Sequence, residues 1–219
     1  CIDPVTGVFD PSLATVGPCD ITYTIGGSCG DTDTESITIN PDQDASFSYA
    51  SATYCLADPN PFPTLGGSAT AGGTYTIDNL GTIDGVTGEI DITTSGVGSY
   101  IVTYTTPGPC AANSNVAVTI VADEDPSYSY SSTTECQSGT DMTATITGTG
   151  GGTFTATPAG LSLNGTTGLI DVSASTAGTY DVTYTTPGTC SATLIISVTI
   201  NADEDASFTL STASECQSG

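Results

Sequence analysis

The feature that most constrains this chain is a strand that occurs three times. Residues 178–190 read GTYDVTYTTPGTC, residues 98–110 read GSYIVTYTTPGPC, and residues 17–29 read GPCDITYTIGGSC. In each copy every second residue is large or apolar: Tyr180, Val182 and Tyr184; Tyr100, Val102 and Tyr104; Cys19, Ile21 and Tyr23. A strict period of two is the mark of a half-buried β-strand. The Pro-Gly or Gly-Gly that follows is a turn signal. Tyr23, Tyr104 and Tyr184 stand 81 and 80 residues apart, as do Cys55, Cys136 and Cys216. The chain is therefore a tandem array of one unit.

The array divides into residues 1–42, the back half of a repeat; 43–123 and 124–203, two complete repeats; and 204–219, the first strand of a further one. Such a layout is expected of a window in a longer chain. In each repeat a Thr-Gly turn (Thr6-Gly7, Thr87-Gly88, Thr167-Gly168) leads into an apolar residue and an Asp: Phe9-Asp10, Ile90-Asp91, Ile170-Asp171. This reads as a hairpin. A last strand ends in Ile37-Thr38-Ile39, Val118-Thr119-Ile120 or Val198-Thr199-Ile200. An acidic joint follows, then an alternating strand (Phe47 and Tyr49, Tyr128 and Tyr130, Phe208 and Leu210), then a cysteine. A strand from Met142 to Thr147, a Gly-rich turn and a strand from Thr153 to Thr157 complete the unit. About seven short strands in about 80 residues, with turn signals every 8–12, predict an all-β fold of tandem Ig-like β-sandwiches. A core of this size is marginal alone, so a disulfide contributing about 2–4 kcal/mol matters.

Composition excludes several functions. There is no Lys, Arg or His, and 24 acidic residues give a net charge of −24. Nucleic acid and anionic membranes need cations that this chain lacks. No carboxylate has an ionic partner in any side chain. Without His or Lys the usual general bases and Schiff-base nucleophiles are missing, and no acidic pair sits in a cleft-forming insertion, so the reading is not an enzyme. Eight cysteines at repeating positions point to an oxidising, extracellular setting.

Cys1 and Cys19 replace non-cysteine residues of the other repeats (Ser162 and Tyr180), so they are expected to pair with each other. The other six form an early class (Cys55, Cys136, Cys216) and a late class (Cys29, Cys110, Cys190). Three schemes remain open. Pairing within a repeat gives Cys55–Cys110 and Cys136–Cys190, although a plain Ig topology sets these cysteines near opposite poles. Pairing to the next repeat gives Cys55–Cys190. Pairing across each acidic joint gives Cys29–Cys55, Cys110–Cys136 and Cys190–Cys216.

The joints carry Asp42 and Asp44; Asp123, Glu124 and Asp125; and Asp203, Glu204 and Asp205. Clustered carboxylates between domains are candidate calcium ligands; a solvated linker is the other reading. Asp33 and Glu35 fall on the inward parity of their strand beside Ile37, unless a bulge turns them out. Asn164-Gly165-Thr166 fits a glycosylation sequon and, more strongly, a tight turn.

The motifs ASFSY…C, GGTFTATPAGLSLNGTTGLIDVSASTAGTYDVTYTTPGTC and VTINADEDASF resemble the tandem Ig/PKD-like repeats of giant secreted surface adhesins and filament proteins of gliding bacteria with type 9 secretion. The resemblance implies a non-catalytic stalk or filament subunit at the cell surface. Its partners would be further copies of the same repeat, and its stability would rest on disulfides. The alternative is a carbohydrate- or surface-binding β-sandwich whose exposed tyrosines stack on sugars.

Overall fold

The computed structural model describes residues 2–209. The chain forms two compact units, residues 1–121 and 122–219. In the first, β1 (Gly17–Thr24), β2 (Thr32–Ile39), β3 (Phe47–Ser48), β4 (Thr53–Cys55), β5 (Thr64–Leu65), β6 (Thr74–Ile77), β7 (Gly98–Thr105) and β8 (Asn113–Val121) follow in order. One helical turn, Ile92–Ser95, precedes β7. The second contains β9 (Tyr128–Tyr130), β10 (Thr134–Cys136), β11 (Ala144–Ile146), β12 (Thr153–Thr157), β13 (Ser162–Leu163), β14 (Ile170–Asp171), β15 (Gly178–Thr185) and β16 (Thr193–Asn201).

The same Ig-like sandwich is built once in each unit. Its larger sheet has the order β4-β8-β7-β6 in the first unit and β10-β16-β15-β12 in the second. The facing layer comes from short pairs: β3 with β5, and β9 with β11 beside β13 with β14. Met142 bridges to Ile170 and links those last two pairs. The Thr-Gly hairpins are present: Ile83 pairs with Ile90, and Leu163 with Ile170. Asp3, Asp84 and Asn164 open these turns alike, each side-chain Oδ1 accepting the amides two and three residues on. Asn164 is thus used as a turn residue.

The period-two residues fill the core. Tyr100, Val102, Tyr104, Val118 and Ile120 are buried in one module, and Tyr180, Val182, Tyr184, Val198 and Ile200 in the other. The tyrosine hydroxyls are satisfied identically. Tyr184 Oη accepts from the Gly152 amide at 3.0 Å and donates to Thr149 O at 2.7 Å. Tyr104 does the same with Gly73 and Thr70, at 3.0 and 2.7 Å. A side chain at Gly73 or Gly152 would collide with the Thr105 or Thr185 carbonyl and the adjacent tyrosine ring. The Gly-rich turn is therefore required by close approach. Tyr49 and Tyr130 donate to the carbonyls of Gly88 and Gly168, the left-handed glycines of the Thr-Gly turns. Burial raises both phenols well above their ordinary pKa, so they stay neutral donors.

Residues 2–41 add nothing to either buried core. The β1–β2 hairpin is in continuous register, with Ile21 opposite Glu35 and Tyr23 opposite Asp33. No bulge turns the acids away. They share a face with Tyr23, which is 71% exposed, whereas its counterparts Tyr104 and Tyr184 are 1% and 0% exposed. The predicted strand forms, but among the described residues no second layer covers it. The segment predicted to open a further repeat runs partly beyond the described residues: Leu210 and Cys216 lie outside them, and Phe208 is exposed.

Ile170 is fully buried at the centre of the second core. Ile170→Ala should cost about 2–5 kcal/mol and lower the melting of residues 122–219 by roughly 10 °C or more. Calorimetry should show the transition of the other module unchanged. A common shift of both would mean that the two sandwiches do not fold as separate units.

Candidate functional site

The chemistry of this chain gathers at the two poles of each module. The outgoing pole is set by the early strand. In the second module β9 pairs antiparallel with β11, and the chain then crosses to the other sheet, where β10 runs parallel to β16. Ser132 sits at the crossing. Its hydroxyl donates to Thr134 O and accepts the Thr134 amide. Ser51 serves Thr53 in the same way where β4 joins β8. The parallel register places Cys55 opposite Val121 and Cys136 opposite Asn201, at the end where each module releases the chain.

The late cysteines occupy the other end. Cys110 and Cys190 lie in the turns between β7 and β8 and between β15 and β16. In the second module this is where the chain comes in. The Glu124 amide donates to Cys190 O at 3.0 Å, and Glu124 Oε2 accepts the Gly188 amide at 3.0 Å. In the first module the corresponding residue is Gln43, whose buried Oε1 has no hydrogen-bond partner.

This geometry corrects the within-repeat disulfides. Eight residue steps separate Asn113 from Val121, about 26 Å of strand, and Cys110 lies beyond its far end. A disulfide spans Cα atoms only about 4.4–6.8 Å apart. Cys110 and Cys136 are indeed free thiols, so neither Cys55–Cys110 nor Cys136–Cys190 forms. Pairing across the joint is corrected too, because Cys29 and Cys110 are free, which removes Cys29–Cys55 and Cys110–Cys136. That scheme needed the joint to fold back as a hairpin. Instead, the strands after it pair with β11 and β16 of their own module. Cys19, Cys55 and Cys190 are disulfide-bonded. Cys1 and Cys216, named in the pairs Cys1–Cys19 and Cys190–Cys216, lie outside the described residues.

The joint carboxylates act as hydrogen-bond acceptors. Asp44, Asp125 and Asp205 each take the amide of the serine two residues on: Ser46, Ser127 and Ser207. Asp44 also accepts the Ser68 hydroxyl, and Asp203 accepts both the hydroxyl and the amide of Ser138. These bonds favour the ionised form and hold the acids below the ordinary carboxylate pKa. The serine hydroxyl is the larger cause at Asp44, Asp125 and Asp203, and the backbone amide at Asp205. Glu124 is used at the incoming pole, and Asp42, Asp123 and Glu204 are exposed. Among the described residues no three acids or cysteines come together as a metal-binding group. The tyrosines offered as a sugar-stacking platform are mainly core residues: Tyr49, Tyr75, Tyr100, Tyr104, Tyr128, Tyr180 and Tyr184 are all buried.

No family model and no curated protein matches the sequence. Among solved structures the chain is similar to the protocadherin gammaB7 EC3-6 cis-dimer, at 13% identity and a TM-score of 0.31, covering 84% of this chain and 59% of that one. Mouse cadherin-23 EC22-24 gives 14% identity and a TM-score of 0.29, covering 85% and 74%. Murine CEACAM1b gives 10% identity and a TM-score of 0.38, covering 73% and 100%. The chain thus spans less than two thirds of the first of these structures. The fold assignment rests on the sheets and cores described above.

Two outcomes test the carboxylates. Folding lowers the pKa of Asp125, so its stabilising share is present above the unfolded value near 3.8 and is lost as pH falls through the depressed one. The melting difference between wild type and Asp125→Asn should hold steady from pH 8 to 5, then narrow below about 4. A gap that grows on acidification contradicts this. For calcium, a folded-state site gives about 2.7 kcal/mol at a hundredfold excess over its dissociation constant. With the acids engaged as described, millimolar calcium after EDTA should move the melting temperature no more than sodium at equal ionic strength. A saturable rise would instead mark the joint acids as calcium ligands.

Proposed function

We propose that this chain is a non-catalytic structural protein, a repeat stalk or a subunit of an extracellular filament or surface adhesin, held by disulfides. The observation that carries the reading is the polarity of the module. Each complete sandwich takes the chain in beside the turn that holds its late cysteine and releases it beside its early cysteine. A module whose two ends lie at opposite poles adds length with every copy. The two copies keep the same core positions and the same turn geometry, as expected where the selected property is repetition.

The charge pattern fits an extracellular life. A chain without Lys or Arg gives trypsin-like proteases no cleavage site, and its net charge of −24 opposes non-specific association. Disulfide-bonded cysteines fit an oxidising compartment. Among the described residues no helix is long and apolar enough to cross a membrane. Affiliation with gliding bacteria rests on the sequence resemblance alone, and further copies of the same repeat are the proposed partners.

Single-molecule force spectroscopy under reducing conditions tests the stalk. Each sandwich of about 80 residues should unfold as one event, releasing roughly 250 Å of chain at 3.3–3.6 Å per residue less its folded length. Two such events per chain are expected. Smooth extension without force peaks, or saturable binding on a glycan array, would count against a stalk.

A further inference from the structure

The acids of this chain are unevenly placed. The larger sheet of the first module is built from residues 53–55, 74–77, 98–105 and 113–121, and none of these is acidic. Strand β7 buries Tyr100, Val102 and Tyr104 and turns Ser99, Ile101 and Thr105 out to solvent, with Thr103 half-buried on the same side. Register sets Ile101 opposite Ala117 at the middle of this outward face. Ile101 is 40% exposed. Rows of Thr, Ser and Asn flank the pair, Thr103 opposite Asn115 on one side and Ser99 opposite Thr119 on the other. In the second module the places of Ile101 and Ala117 are taken by Asp181 and Ser197, so its face carries a charge at the centre.

The polar groups of the neutral face are partly paired within it. Thr103 Oγ1 donates to Asn115 Oδ1 at 2.8 Å, and Ser99 Oγ and Thr119 Oγ1 share a hydrogen bond at 3.4 Å. Such groups lose water at a lower cost, because each keeps a partner. Thr, Ser and Asn also carry donors and acceptors together, so a face made of them is complementary to itself. A second chain brings the same net charge of −24, and repulsion opposes contact wherever acids stand. This face allows contact without that repulsion.

We propose that the outward face of the larger sheet in the first module is a lateral docking surface for the same face of a second copy of this chain. The contact is isologous, with Ile101 and Ala117 of both copies at its centre and the hydroxyl rows around them. Strand lengths, rise and spacing give roughly 400 Å² of sheet plane per copy. That is the low end for a specific contact, so the pairing is weak and reversible.

The test uses the whole chain, with free thiols capped by iodoacetamide and with EDTA present, so that neither new disulfides nor cations link the copies. Sedimentation equilibrium should show a monomer–dimer equilibrium. It should tighten as sodium chloride rises from about 0.05 to 0.5 M, because salt screens the repulsion between acidic copies. Weakening with salt would overturn the proposal. Asn115→Asp keeps the side-chain volume and the acceptor for Thr103 but sets like charges in the contact. It should raise the dimer dissociation constant about tenfold or more. Asn164→Asp adds the same charge to a turn outside the face, where Asp84 of the other copy shows that an acid is accommodated. It should associate as the wild type does. A chain that stays monomeric to about 1 mM in high salt would sink the idea, as would Asn115→Asp pairing as tightly as Asn164→Asp. Amide shifts at Ile101 and Ala117 on adding cellohexaose to a monomeric chain would assign the face to a neutral polysaccharide, which also overturns it. If Asn115→Asp fails to fold, Ile101→Thr removes the apolar centre instead, with the same expectation. The inference concerns one module and goes beyond the stalk reading. Two unfolding events from a chain that never dimerises would remove the lateral contact alone, and a dimer without those events would remove the stalk alone.

Discussion

The parallel pairing of a short early strand with the last strand of its module governs most of what else is seen. A first strand that stayed in one sheet would leave its cysteine over the facing layer. Here the strand is broken after Tyr49 and Tyr130, and its second half crosses to the larger sheet. Ser51 and Ser132 make the crossing tolerable, because their hydroxyls supply a donor and an acceptor to backbone that no ladder reaches at that point. The same move clasps the beginning of the module to its end. It also carries the early cysteine to the place where the chain leaves, which fixes the chemistry available at each pole.

A chain with 24 acids and no base must also settle where its negative charge rests. In the described residues the answer is local. Asp44, Asp125 and Asp205 cap serine amides, Asp3 and Asp84 cap the Thr-Gly turns, and Asp91 caps the helical turn Ile92–Ser95 through the Thr94 amide. In each case an amide or hydroxyl dipole takes the part that a cation plays elsewhere. The sandwich interior is kept free of charge. Thr106, Ser175 and Thr186 are buried beside tyrosine hydroxyls, several of which are aimed at carbonyls where the Gly-rich and Thr-Gly turns close on the core.

Period, repeat and turn chemistry were legible in the sequence because they are local. β7 and β15 follow from alternation alone, and the Asp3, Asp84 and Asn164 turns from residue type and spacing. Cysteine connectivity was not legible, because it depends on strand order. Nothing in the residues 131–136 states that the chain changes sheets there, and without that step Cys136 could face Cys190. Exposure in residues 2–41 follows the same logic. Tyr23 carries the same alternation as Tyr184, but a strand's apolar face is buried only if a second layer arrives. The joint acids illustrate a third limit. Sequence displays their clustering, whereas their use depends on which amides turn towards them, as the Gly188 amide does to Glu124.

Gln43 shows how finely the pole is tuned. It stands where the second module has Glu124, beside a turn of the same sequence, Thr-Pro-Gly, at residues 106–108 and 186–188. The carboxylate of Glu124 receives the Gly188 amide, whereas the buried Gln43 Oε1 receives nothing. The two copies thus meet the same turn with different side chains, a carboxylate in one and an amide in the other. Acidity at the incoming pole therefore follows from hydrogen-bond supply: the turn offers an amide, and an acceptor with two equivalent oxygens meets it in either rotamer.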